Sequence, residues 1–116
     1  MSDIVMYHNP RCSKSRETLN LLRGRGIEPR IVEYLKTPPD EQTLSGILDM
    51  LGIQPLDLVR TKEDEFRALG LHEKTDEPKT LIRAMAEHPI LIERPIVLNG
   101  DRARVGRPPE NVLEIL

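Results

Sequence analysis

Apolar residues fall along this chain in short groups separated by turn residues, and the spacing within each group predicts its element. Ile4 to Tyr7 is an apolar run that stops at the turn signal Asn9-Pro10, and it reads as a buried strand. From Ser13 to about Arg23, Thr18, Leu19 and Leu22 recur at helical spacing, with Gly24 and Gly26 as stops. Ile31 to Leu35 sets Val32 and Tyr34 in alternation with charged neighbours and reads as a second strand. Thr37-Pro38-Pro39 then opens a helix whose stripe of Leu44, Ile47, Leu48 and Leu51 ends at Gly52. Pro55 to Val59, Lys62 to Leu69 and Pro78 to Glu87 read as three further helices, the last capped by Asp76 with Leu81, Ile82 and Met85 facing inward. Ile96-Val97-Leu98, Asn99-Gly100 and Arg102 to Gly106 spell a hairpin around a type I′ turn. Pro108-Pro109-Glu110 starts a last helix that packs Val112, Leu113 and Leu116 on the sheet.

A β-α-β unit followed later by β-β-α is the arrangement of a thioredoxin-like α/β fold with a mixed sheet. The helices between the two halves form an insertion at about residues 38–90, in a single domain over 1–116. Hydrophobic residues at 38% and charged residues at 31% fit neither disorder nor a membrane span. The 17 basic and 19 acidic side chains leave a net charge of −2, without the broad positive field that non-specific nucleic-acid binding needs. Two tyrosines and one phenylalanine are too few for base-stacking platforms. The expected partners therefore include neither nucleic acid nor membrane, and a monomer is expected. One cysteine and no readable export signal fit a reducing compartment, so the expected location is cytoplasmic.

Cys12 falls where the first strand gives way to the first helix. Backbone N–H groups and the partial positive charge of a helix N-terminus lower a thiol pKa from about 8.5 toward neutrality, and Arg11, Lys14 and Arg16 add positive charge. Ser15, three residues on, supplies a hydroxyl that can donate to the thiolate. A buried structural cysteine is the competing reading; the loop position between Pro10 and a polar stretch argues against burial. His8, at the strand end, can tune or orient the thiol, and a histidine bonded only to solvent or backbone fits its position equally well.

The arginine of a Cys-x5-Arg phosphatase loop would fall at position 18, which is Thr18. An oxyanion at Cys12 must therefore be held by arginines from elsewhere. Of the twelve arginines, three stand at distinctive places. Arg60 ends an apolar helical turn, Arg94 precedes Pro95 and a core strand, and Arg107 follows the last strand and precedes Pro108. Guanidinium forks stay charged and offer several coplanar donors to a tetrahedral oxyanion. In thioredoxin-type folds the proline before this strand is cis and faces the cysteine loop, which would hold Arg94 beside Cys12. Scattered histidines and a single thiolate make a metal site unexpected, and no dinucleotide or phosphate-loop glycine pattern is present, so no bound cofactor is expected.

The runs His8-Asn9-Pro10-Arg11-Cys12-Ser13-Lys14-Ser15-Arg16, Glu33-Tyr34-Leu35-Lys36-Thr37-Pro38-Pro39 and His88 to Val97, with Gly106-Arg107-Pro108, resemble the glutaredoxin-coupled arsenate reductase family, the ArsC family, over essentially the whole chain. Cys-Ser-Lys-Ser-Arg replaces the Cys-Gly-Thr-Ser-Arg of plasmid-borne resistance enzymes, so the chain is more similar to chromosomal members. The resemblance implies reduction of arsenate to arsenite with glutathione as cosubstrate and glutaredoxin as partner. It implies Cys12 as nucleophile, His8 and Ser15 in support, and Arg60, Arg94 and Arg107 as oxyanion ligands. In the implied sequence Cys12 forms a covalent thiol-arsenate adduct, glutathione attacks it, and glutaredoxin carries the mixed species on to arsenite. Independently, a chain with one cysteine has no internal thiol to resolve a covalent intermediate, so a second thiol must come from outside. Two alternatives stay open. Another glutathione-dependent thiol oxidoreductase on this scaffold needs Cys12 and Ser15 but not three arginines. An Spx-like RNA polymerase-binding regulator shares the fold, although Ser15 removes the Cys-x-x-Cys disulfide switch such regulators commonly use.

Overall fold

The opening strand forms where the apolar run predicts it. In the computed structural model, which describes residues 4–116, β1 (Ile4–Tyr7) is followed by α1 (Ser13–Gly24), β2 (Arg30–Val32), α2 (Glu41–Leu51), α3 (Pro55–Leu58), α4 (Asp64–Ala68), α5 (Pro78–Glu87), β3 (Ile96–Asn99) and β4 (Arg102–Val105). Short 3-10 helices occupy Leu71–Glu73, Pro89–Leu91 and Pro109–Ile115. The chain resolves into two compact units, one made of the chain up to Thr37 with Arg94–Leu116, the other of Pro38–Glu93.

The first unit is a four-stranded mixed sheet in the order β2-β1-β3-β4. β1 pairs in parallel with β2 through the α1 crossover and antiparallel with β3, which pairs antiparallel with β4. A parallel neighbour requires a crossover, and the 3.6-residue periodicity of Thr18, Leu19 and Leu22 supplies one that buries a face. Ile4, Met6 and Val97 from the sheet meet Leu19 and Leu22 of α1 and Val112 and Ile115 of the C-terminal helix in one core. This is the thioredoxin-like α/β arrangement the element order predicts. In the second unit α2 and α3 pack on α5. Leu44, Ile47, Leu48, Leu58, Leu81, Ala84 and Met85 are buried, and a bridge between Val59 and Ile92 ties the end of α3 to the last residues of the unit.

Several boundaries differ from the sequence reading, each for a local reason. β2 stops at Val32 rather than Leu35, because the N–H groups of Lys36 and Thr37 both turn back to the Glu33 carbonyl at 2.9 Å. α2 begins after Asp40 rather than at Thr37. A residue preceding proline is pushed out of the helical region, which removes Thr37 and Pro38 as helix starts, and the Asp40 side chain accepts the Thr43 N–H at 2.8 Å. α5 is preceded by Glu77, not capped by Asp76, since Pro78 takes the first helical position; Ile82 is half-buried and Ala84 takes its expected place in the core. In the hairpin Asn99 pairs with Arg102, so the loop is Gly100-Asp101. Gly100 has φ 64° and no described non-glycine residue has positive φ, which matches a type II′ turn and not the type I′ turn expected. The last helix is 3-10, and its threefold period buries Pro109, Val112 and Ile115 in place of the expected Leu113 and Leu116. Among the described residues no helix is long and apolar enough to cross a membrane.

Candidate active site

The loop between β1 and α1 is built from its own polar groups. The His8 N–H extends the parallel ladder to the Val32 carbonyl at 2.9 Å, and the Cys12 N–H turns back to the Asn9 carbonyl at 3.0 Å. The Asn9 side-chain oxygen accepts the Arg11 N–H at 3.0 Å. The Arg16 guanidinium holds the Pro10 carbonyl at the same distance. Cys12 stands at the N-cap of α1 in extended conformation, and its carbonyl accepts the first helical hydrogen bond from Arg16.

Cys12 is buried, with 8% of its surface exposed, which corrects the expectation that a loop position keeps it open. Burial pushes its thiol pKa up. The Ser15 N–H, the charge of Arg94, the Lys14 N–H and a hydrogen bond from Arg94 together outweigh burial and leave the thiol below its ordinary value. Arg107 adds a second guanidinium, its Nη1 4.0 Å from Sγ and donating to the Arg94 carbonyl at 3.4 Å. Two arginines far apart in sequence thus converge on one sulfur. The Arg94-Pro95 bond is cis, as is Arg107-Pro108. The Gly106 N–H donates to the Pro95 carbonyl at 2.9 Å, tying the segments that carry the two arginines together.

His8 and Ser15 are both buried, and the His8 Nδ1 lies 2.6 Å from the Ser15 Oγ. Ser15 Oγ also accepts the Asn9 N–H at 3.0 Å. The hydroxyl is therefore committed to His8 and Asn9 rather than donated to the thiolate, which corrects the sequence reading; the group of Ser15 that reaches the thiol is its backbone N–H. His8 is held below its ordinary 6.5, chiefly by burial and further by Arg23 and Arg16, with Glu33 opposing. Its neutral imidazole anchors the loop through Ser15.

Arg60 belongs to the Pro38–Glu93 unit. Its Nη1 pairs with Glu63 Oε1 at 2.6 Å, both side chains about one quarter exposed, and reaches the Ile90 carbonyl at 3.4 Å. Two other residues that pack beside this loop, Thr18 and Gly106, were not read from the sequence as part of the site. A Cβ on Gly106 would sit 2.6 Å from the Thr18 Oγ1 and 2.9 Å from Pro95, so glycine is required by close approach rather than by its dihedrals. The Gly106-Arg107-Pro108 run was the available clue. Among the described residues, no group of three or more His, Cys, Asp or Glu side chains is placed to hold a metal ion.

The site is thus a thiol at a helix N-terminus with two arginines near its sulfur, on a thioredoxin-like fold, and comparison with known proteins agrees with that fold. The family model described as ArsC family matches residues 7–115, and the chain belongs to this family. A protein of Haemophilus influenzae named arsenate reductase is 48% identical, the match covering 97% of this chain and 98% of that one. A protein of Escherichia coli K12 that carries no assigned activity, YfgD, is 52% identical over 97% of this chain and 96% of its own length. The solved structure named arsenate reductase from Vibrio cholerae superposes with a TM-score of 0.94 at 49% identity, covering 97% of both chains.

Proposed function

We propose that this protein is an arsenate reductase that works through a covalent Cys12 adduct with glutathione and glutaredoxin as electron donors. The observation that carries the reading is the convergence of Arg94 and Arg107 on a Cys12 thiol held below its ordinary pKa. Family membership and the relatives named arsenate reductase supply the substrate. A tetrahedral oxyanion brought to Cys12 meets two guanidinium groups, and the sulfur meets its arsenic. The bond from Cys12 Sγ to arsenic forms as one arsenic-bound oxygen leaves as water. Glutathione then adds its sulfur to the same arsenic, and a second water leaves. A glutaredoxin thiol attacks the glutathione sulfur, the pair departs as a mixed disulfide, and its two electrons take arsenic from the +5 to the +3 state. Water releases arsenite and returns the Cys12 thiol. His8 and Ser15 act on this sequence by fixing the loop and helix N-terminus around the sulfur. By resemblance Arg60 is the third oxyanion ligand, and its pairing with Glu63 means the carboxylate competes with an oxyanion for it.

The test is arsenate-dependent NADPH oxidation coupled through glutathione, glutaredoxin and glutathione reductase. The native chain should turn over, Cys12→Ser should be inactive, and Arg94→Ala should lose roughly 100-fold or more in kcat, the range for removing one preorganised oxyanion donor. A folded native chain without arsenate turnover overturns the proposal. If that chain still exchanges thiols with glutathione, and Arg94→Ala exchanges as well as native, the thiol-oxidoreductase alternative takes its place.

A further inference from the structure

Beside the cysteine loop lies a cavity of about 310 Å³, lined on one wall by residues 8–11 and on the other by Glu33, Leu35 and Lys36. This is at the small end of ligand-pocket volumes, which begin near ~300 Å³. Its charged groups are two cations, Arg11 and Lys36, and one carboxylate, Glu33. Lys36 Nζ stands 3.6 Å from Glu33 Oε1, with both side chains open to solvent. Leu35 is 43% exposed and gives the cavity an apolar wall. Arg11, on the cavity wall, is the immediate neighbour of Cys12, and an extended three-residue ligand spans roughly 10 Å.

The chain holds one cysteine, so an adduct at Cys12 needs an external thiol. We propose that this cavity binds that thiol, and that Arg11, Lys36 and Glu33 select a small thiol bearing two carboxylates and one ammonium. The inference rests on the proposed function only for the reaction it serves. There the bound thiol's sulfur bonds arsenic, and its proton leaves with an arsenic-bound hydroxyl as water. The charge pattern singles out this cavity. A second one, of about 370 Å³, is lined by Lys14, Glu17 and Glu110 among others, one cation against two carboxylates, and would repel such a ligand. The Arg11 and Lys36 cations match the two carboxylates, and Glu33 leaves Lys36 for the ligand and takes its ammonium.

S-methylglutathione, which has the charges but no reactive thiol, is the binding probe. Titrated into the native chain, it should shift the backbone NMR signals of Asn9, Arg11, Leu35 and Lys36, less so at high salt. In turnover, Lys36→Glu and Arg11→Glu should each raise the KM for glutathione about five-fold, since each reverses one solvent-screened charge. In Lys36→Glu the KM for arsenate and for glutathione diethyl ester, whose carboxylates are both esterified, should stay as in the native chain. Both side chains are exposed, so the variants should fold. Shifts confined to Lys14, Glu17 and Glu110, or equal effects on glutathione and its diester, overturn the proposal. A chain that binds S-methylglutathione in this cavity yet leaves arsenate unreduced supports the cavity and removes the proposed function. A chain that reduces arsenate with an unchanged glutathione KM in Lys36→Glu does the reverse.

Discussion

Replacing Ser15 by alanine removes one oxygen atom and with it two hydrogen bonds, one shared with His8 Nδ1 at 2.6 Å and one accepted from the Asn9 N–H at 3.0 Å. Ser15 and His8 are both buried, so neither water nor another side chain has easy access to the groups left behind. A buried polar group without its partner costs about 1–3 kcal/mol, and the part-buried Asn9 N–H belongs at the lower end. Alanine gives back roughly 0.5 kcal/mol of helix propensity at this position in α1. The net loss is about 1.5–3.5 kcal/mol, a large share of the ~6–17 kcal/mol expected for a chain of this length. Urea unfolding measures it directly: with a slope of about 1–3 kcal/mol per molar the midpoint should fall by roughly 1–2 M at constant slope. Alanine keeps its backbone N–H, so Cys12 should still react with iodoacetamide at neutral pH in the folded variant. A stability loss below about 0.5 kcal/mol would falsify the claim that Ser15 anchors His8 to the loop, because buried groups this costly would have had to find other partners. Full loss of Cys12 reactivity in a folded variant would show that the hydroxyl, and not the backbone, serves the thiol.

Other consequences can be checked in the same preparations. Arg94→Ala removes both a positive charge and a hydrogen bond from the thiolate, so the pH midpoint of Cys12 alkylation should move upward; an unchanged midpoint would separate Arg94 from the sulfur. Because His8 is held below its ordinary 6.5, the unfolded chain binds more protons between the lowered folded value and 6.5, and stability there rises with pH. The folded state should therefore be most stable above 6.5 and weaken as pH falls below it, and His8→Gln should flatten this part of a pH series of unfolding midpoints. Gly106→Ala drives a methyl to 2.6 Å from Thr18 Oγ1 and 2.9 Å from Pro95, and overpacking of this kind costs about 1–3 kcal/mol. A thermal midpoint equal to the native one would mean that this contact relaxes freely.

Much of the site could be read because its parts are local. Cys12 at a strand-to-helix junction needs only β1 and α1 to be recognised, and Asn9-Pro10 marks the turn between them. Arg94 and Arg107 were legible by a different route, each flanked by a proline at the edge of a strand. The hydroxyl of Ser15 was misread for a geometric reason. A Cys-x-x-Ser spacing brings the serine within one helical turn of the thiol but does not say which way its side chain turns, and here it turns to a histidine seven positions back. The burial of Cys12 was missed because the groups around it, Arg94 and Arg107, arrive from the other end of the chain.

Local chemistry in the sequence determined the order of elements and the place of Cys12 at a strand-to-helix junction, because periodicity, caps and turn residues act over a few positions. Element ends slipped by a few residues wherever a tertiary preference competed, as in the C-terminal 3-10 helix, whose burial of Val112 and Ile115 follows the sheet it covers rather than an α-helical stripe. Only the tertiary structure decided which charges face the thiol, which partner Ser15 takes, and why position 106 is glycine. These depend on contacts between residues up to 95 positions apart, such as Arg107 on Cys12, and their strength comes from burial that no single segment contains.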